Sequence, residues 1–163
     1  MNMKTKLQVS ALVLFCMLCC AFFLGRTNNE TTQMLHELSG NSLPISSLKG
    51  KWVIVNYWAP WCPICHREVG ELNNFYQHTL GKNVVFYGVD YDHPSVDDLG
   101  EAVKAMSIQF PVLVEDPRAI WQLDVQDSIP VTFIVNPKGM VAKVIYGPNT
   151  EQSLLDALHE LQK

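Results

Sequence analysis

Residues 52–58, Trp-Val-Ile-Val-Asn-Tyr-Trp, constrain this chain more than any other stretch. A nearly continuous β-prone run with one polar residue reads as a strand buried on both faces. Such a strand sits in the middle of a sheet that needs cover on each side. From Pro63 to about Thr79 the pattern becomes helical, with Val69, Leu72, Phe75 and Tyr76 at i, i+3, i+6 and i+7. Val84–Val89 is a second buried-type strand, Val131–Val135 a third, and Val141–Tyr146 follows the turn Asn136-Pro137-Lys138-Gly139. Ser95 caps a predicted helix running to about Met106, with Asp97 and Asp98 in its first turn, and Thr150 caps another from Glu151 to Leu161. Pro111–Val114 is a short extended piece, and Pro117 to Leu123 a short helix. The order β-α-β-α-β-β-α predicts an α/β domain with a mixed central sheet and helices on both faces. Before the first strong strand, Met34–Leu38 and Ser42–Ile45 flank Gly40-Asn41 and predict a small hairpin or edge extension.

The N-terminus has a different character. Lys4 and Lys6 precede an apolar run from Leu7 to Leu24, interrupted only by Gln8 and Ser10. Eighteen helical residues span ~27 Å, enough to cross a bilayer core. The positive flank orients the start of the chain toward the cytoplasm and the remainder outside. No small-residue cleavage site follows the run, since Ala21 is succeeded by Phe22, Phe23 and Leu24, so an uncleaved signal-anchor is expected rather than a removed signal peptide. Cys16, Cys19 and Cys20 are apolar filler within it. The expected organisation is therefore an anchor at 1–26, a polar linker at 27–33 and one domain at 34–163. Residues 1–26 hold three basic residues and no acid. That leaves 9 of the 12 basic and all 16 acidic residues for 27–163, a net charge of −7. The acidic balance argues against a nucleic-acid partner.

The chemistry is expected at Cys62-Pro63-Ile64-Cys65, where the first strand hands over to its helix. Unpaired N–H groups and the helix dipole there favour a thiolate on Cys62. Pro63 suits the first helical turn. Cys65, one turn further in, is close enough to form a disulfide and more shielded. In this reading Cys62 attacks a partner disulfide and Cys65 resolves the mixed disulfide. Two other uses of the same residues exist. A structural zinc site needs four ligands, and His36, His78, His93 and His159 do not supply the spacing. Cys62 to His66 also spells the c-type haem attachment motif, so the alternative function is a haem or metal-binding carrier using Cys62, Cys65 and His66. Against it stands the buried strand directly before the motif. His66 is either an exposed first-turn residue or an imidazole that, when charged, lowers the thiol pKa.

Residues 55–65, Val-Asn-Tyr-Trp-Ala-Pro-Trp-Cys-Pro-Ile-Cys, resemble the active-site segment of the thioredoxin superfamily, and more narrowly the membrane-anchored TlpA/ResA/DsbE-like thiol–disulfide oxidoreductases of bacteria. Leu48-Lys49-Gly50-Lys51, Ile129-Pro130-Val131-Thr132-Phe133 and Pro137-Lys138-Gly139 match in the same order. The resemblance implies a thioredoxin fold with a central insertion at about 92–110. It implies a redox-active Cys62–Cys65 pair and a cis Pro130 facing it. Trp61, Ile129 and Pro130 would line the substrate groove. It implies no cofactor and no metal. The partners would be periplasmic protein thiols and disulfides together with a membrane electron donor or acceptor protein, and the location the bacterial inner membrane, through residues 7–24. Thioredoxin carries a buried Asp where this chain has Asn56, while the TlpA-like group resembles it in having Asn. Several of that group carry a Glu three residues after the second cysteine, here Glu68. Glu68 is either a proton-exchanging group beside the disulfide or a solvated helix-face carboxylate. Val131 stands where members devoted to cytochrome c maturation often carry an acid, and Cys-Pro-Ile-Cys resembles a branch associated with copper tolerance. The client and the direction of electron flow stay open.

Overall fold

The computed structural model describes residues 33–126 and 128–163. The predicted anchor at 7–24, with its flanking Lys4 and Lys6 and its cysteines, lies outside the described residues. Among the described residues no helix is long and apolar enough to cross a membrane.

A four-stranded sheet has the order β4-β3-β5-β6, built from β3 (Trp52–Trp58), β4 (Val84–Asp90), β5 (Val131–Val135) and β6 (Val141–Tyr146). β3 and β4 are parallel, while β5 runs antiparallel to both β3 and β6. The mixed sheet follows from the connections. Helix α1 (Pro63–Thr79) returns the chain for a parallel strand, and the short turn after β5 permits only an antiparallel one. β1 (Met34–His36) and β2 (Ser42–Pro44) pair as the expected edge hairpin. Between β4 and β5 come α2 (Val96–Ala105), the extended residues 111–114 and α3 (Arg118–Trp121). The 111–113 stretch joins hairpin to sheet. Gly88 bonds to Pro111 and Leu113 on one side, and Leu38 bonds to Val112 on the other. Gly88 is required there, because a Cβ would sit 2.7 Å from the Phe110 ring and 2.9 Å from Trp58 Nε1.

The two faces of the sheet are covered unequally, which refines the expectation of helices on both. Ile54, Trp58, Phe86 and Ile134 face a cluster built with α1, α2 and α4 (Glu151–Leu161). Within it Phe75, Phe86 and Phe110 stack edge-on at centroid distances of 5.7 and 4.8 Å, each pair worth ~0.5–1.5 kcal/mol beyond its buried area. Val53, Val55, Tyr57, Val131 and Phe133 face the opposite way. Their cover is the hairpin, a 3-10 turn at Ile45–Leu48 and the four-residue α3. The residues ahead of β3 thus do the work of a helix on that side.

Candidate active site

The β3–α1 junction is a tight turn in which Cys62 N donates to Ala59 O at 3.1 Å. Cys62 is the N-cap of α1 with extended backbone angles, and Pro63 opens the first turn without an N–H to satisfy. Cys62 Sγ takes the place of a capping oxygen and accepts the Cys65 N–H at 3.1 Å. No acidic residue occupies the first turn, so no carboxylate of that turn offsets the positive end of the helix dipole at that sulfur. Cys62 and Cys65 form a disulfide with Cα atoms 5.3 Å apart. Both half-cystines are buried, Cys62 at 4% and Cys65 at 0% exposure. The surface around them is apolar, because Trp61 is 61% and Ile64 38% exposed. Trp61 is tethered by its indole N–H to the Asp92 carboxylate, and Asp92 N donates in turn to Asp90. His66 is exposed and holds the Pro60 carbonyl with Nε2 at 2.7 Å. Both sulfurs that haem attachment would consume are joined to each other here.

Glu68 is not a solvated helix-face carboxylate. Only 3% of it is exposed. Its Oε1 accepts from Asn56 Nδ2 at 3.2 Å, and its Oε2 accepts from the Asn149 backbone N–H at 2.8 Å. Thr132 completes the group, accepting from Asn56 Nδ2 at 3.0 Å and from Asn149 Nδ2 at 3.1 Å. Asn56 and Thr132 are register partners on β3 and β5, so the sheet itself sets their spacing. Among the described residues no cation neutralises the carboxylate. Burial raises its pKa from 4.5 to about 7, against the opposing pull of the Asn149 and Asn56 hydrogen bonds. A carboxyl group that titrates near neutrality one helical turn from a disulfide can give or take a proton under working conditions.

Sequence reasoning named Asn56 and Glu68 but missed Thr132 and Asn149. These two lie 76 and 81 residues from the groups they serve, beyond any local pattern. The burial of Glu68 did have a signal, since the residues buried on α1 are Cys65, Glu68, Val69, Leu72, Phe75 and Thr79. Glu68 falls in phase with that stripe. The Ile129–Pro130 bond is cis, as the resemblance implied. Pro130 is buried at the head of β5 and Ile129 is half-buried, packing against both core clusters.

Comparison with known proteins agrees with this geometry. Residues 29–144 match the AhpC/TSA family. The thiol–disulfide oxidoreductase ResA of Bacillus subtilis is 28% identical over 98% of this chain and 95% of its own. A solved thiol:disulfide interchange protein of the thioredoxin family from Chlorobium tepidum is 26% identical, with a TM-score of 0.66 over 78% of this chain and 91% of its own. StoA from Bacillus subtilis, at 24% identity, shares the fold with a TM-score of 0.64 over 76% of this chain and 93% of its own. On the match across most of its length, with the disulfide at the β3–α1 junction and the sheet around it, the chain belongs to the AhpC/TSA family of the thioredoxin superfamily, as a thiol–disulfide oxidoreductase.

Proposed function

We propose that this protein is an exported, membrane-anchored enzyme that exchanges disulfides with protein clients in the periplasm through Cys62-Pro63-Ile64-Cys65. In one direction a client thiolate attacks the Cys62 sulfur and breaks the Cys62–Cys65 bond. Cys65 leaves as a thiolate and takes up a proton. The client's second thiolate then displaces Cys62, so the client is oxidised by two electrons and the enzyme is left as a dithiol. The reverse sequence reduces the client, with Cys62 attacking and Cys65 resolving. Glu68 supplies or accepts the Cys65 proton. Trp61, Ile129 and Pro130 line the client groove, and residues 7–24 hold the protein in the inner membrane. A membrane protein partner restores the starting redox state.

The observation that supports this most is the buried Glu68 carboxylate one turn past the disulfide, with no counter-charge among the described residues. A purely structural disulfide has no use for so expensive a neighbour. The test uses the full-length chain in detergent with a disulfide-bonded peptide as substrate. Turnover of dithiols and disulfides is expected in the parent and its loss in Cys62→Ala. A parent protein that leaves the peptide untouched at every redox poise ends the proposal. A reporter active only outside the cytoplasm, fused after Lys163, tests the compartment.

A further inference from the structure

The buried polar group beside the disulfide does not close its hydrogen bonds, and the gap has a pattern. Asn56 Nδ2 spends both hydrogens, on Glu68 Oε1 and Thr132 Oγ1, while Asn56 Oδ1 meets no donor among the described residues. Thr132 Oγ1 already accepts from two amides. Both of its lone pairs are used, and its own hydrogen has no acceptor among the bonds it makes. An unfilled acceptor on one residue thus sits against an unplaced donor on its bonded neighbour. In a buried site each such group costs about 1–3 kcal/mol.

The oxygen and nitrogen of an Asn amide are exchangeable by a half-turn about χ2. With Glu68 ionised, the observed orientation serves it, because Nδ2 donates to the carboxylate. With Glu68 protonated the same orientation fails. Oε2 is committed to the Asn149 N–H, so the acid proton belongs on Oε1, where it would confront the Asn56 NH2 group. Reversing the amide removes the conflict and exchanges three unpaired groups, Asn56 Oδ1 and the Glu68 and Thr132 hydroxyl hydrogens, for the two Nδ2 hydrogens, which turn to the side where Oδ1 meets no partner among the described residues. Oδ1 then accepts from Glu68 Oε1–H and from the Thr132 hydroxyl, while Asn149 Nδ2 continues to donate to Thr132.

We propose that the Asn56 side-chain amide is a two-position switch, reversing with each protonation and deprotonation of Glu68, with Thr132 and Asn149 as positioning residues that hold the pivot. The inference deepens the proposed exchange reaction and rests on Glu68 gaining and losing a proton there. No covalent bond changes in the reversal, and the proton stays on Glu68 Oε1 until a base takes it. The switch serves a group that must both accept and return a proton, since a fixed donor would favour the carboxylate alone. Among the described residues no charged side chain bonds to Glu68. Cys65 precedes it on α1, Asn56 and Thr132 face it from the sheet, and Asn149 from the start of α4. Other acids are engaged elsewhere, Glu71 with the Glu151 backbone N–H, Glu151 with His78 and the buried Asp90 of β4 with the Asp92 backbone N–H.

The test is NMR on the detergent-solubilised full-length protein in its oxidised form, where the cysteines do not titrate. Across pH 5–9 the Glu68 Cδ shift should titrate, and the contacts between Asn56 amide protons and Thr132 should be present at high pH and lost at low pH with the same midpoint. A titrating Glu68 with unchanged amide contacts overturns the switch, and so does a Glu68 that does not titrate. Asn56→Ala gives a second reading. An amide serving both forms leaves the Glu68 acidity within about threefold of the parent when removed, whereas loss of a fixed donor weakens it tenfold or more. That larger change also overturns the proposal. The exchange rate of Glu68→Gln is a separate measurement: if it matches the parent, the catalytic role of Glu68 falls while the amide reversal stands.

Discussion

Asn56 and Tyr57 are neighbours on β3, yet they enter opposite sides of the sheet and two unlike polar groups. On the disulfide side, Asn56, Glu68, Thr132 and Asn149 bury a carboxylate with neutral partners only. On the other side, the Tyr57 hydroxyl donates to Asp116 at 2.6 Å, and Asp116 also binds Arg118 through its backbone N–H and its guanidinium, and His93 at 3.2 Å. The Arg118 guanidinium lies 5.8 Å from the Tyr57 ring centroid. Burial, followed by the bond to Asp116, pushes the Tyr57 phenol upward, which keeps it a neutral donor. One group pairs its charge and the other withholds a counter-charge. The first arrangement anchors α3 to the sheet. The second, through burial, moves the acidity of Glu68 to near neutral pH, at a cost in stability.

The sharpest way to break that contrast is at the thiols, which belong to the Glu68 side alone. Cys65→Ala should leave a nucleophile without a resolving partner, so mixed disulfides with clients accumulate. Cys62→Ala should trap almost none. Thiol-trapped complexes on non-reducing gels decide it, and equal trapping by both variants would erase the division of labour. Next in size is the carboxylate. Glu68→Gln should slow exchange at pH 7 by ~10²-fold, the lower end of general acid–base assistance, and remove the part of the pH profile centred near 7. Asp116→Asn should leave exchange within about twofold. Stopped-flow tryptophan fluorescence reads both, because Trp61 adjoins Cys62.

The stabilities should move in opposite directions. Glu68 has a folded pKa of about 7 against 4.5. Between those values the folded state binds more protons than the unfolded one. Its contribution is therefore fully present below pH 4.5 and lost as pH rises through 7. That loss amounts to ~3 kcal/mol at most. Urea unfolding should show Glu68→Gln more stable than the parent at pH 8 and equal to it at pH 4. Asp116→Asn should be less stable than the parent by ~1–2 kcal/mol at pH 7, since it removes the anion that the Tyr57 hydroxyl and the half-exposed Arg118 guanidinium share. A destabilised Glu68→Gln at pH 8 would mean that Glu68 is a structural anchor like Asp116.

How far these two regions could be read from the sequence depended on the range of their contacts. β3, β4 and β5 declared themselves because uninterrupted apolar runs need no partner to be recognised. The Cys62 cap was legible because Pro63 and the start of the 3.6 pattern coincide there. Ser95 and Thr150 do cap α2 and α4, through bonds only three residues long. What stayed hidden was made by pairing. Thr132 looks like an ordinary β-former until its register opposite Asn56 is known. Asn149 looks like a loop residue beside a helix cap, although its backbone N–H reaches Glu68. The Tyr57–Asp116 bond spans 59 residues, and nothing local to Tyr57 separates it from core filler. Which face each strand residue takes was predictable by alternation, but what waited on that face was not.

The smallest effect tests whether the two sides of β3 are independent. Tyr57→Phe keeps the ring, including its edge-on contact with Phe133 at 5.9 Å, and removes only the hydroxyl. Asp116 retains Arg118 and His93, so no buried charge is stranded. The cost should be ~1 kcal/mol, the net worth of one hydrogen bond, somewhat more for its charged acceptor. Because Tyr57 and Asn56 are consecutive residues, any shift of β3 would reach the Glu68 site directly. A stiff central strand, paired on both edges, should not pass it on. Tyr57→Phe is therefore expected to lower the urea midpoint slightly while leaving the exchange rate and its pH midpoint near 7 where they were. A moved pH midpoint would show that the phenol and the Glu68 group are coupled through the strand, and the contrast between a charge-paired side and a proton-handling side would then describe one network.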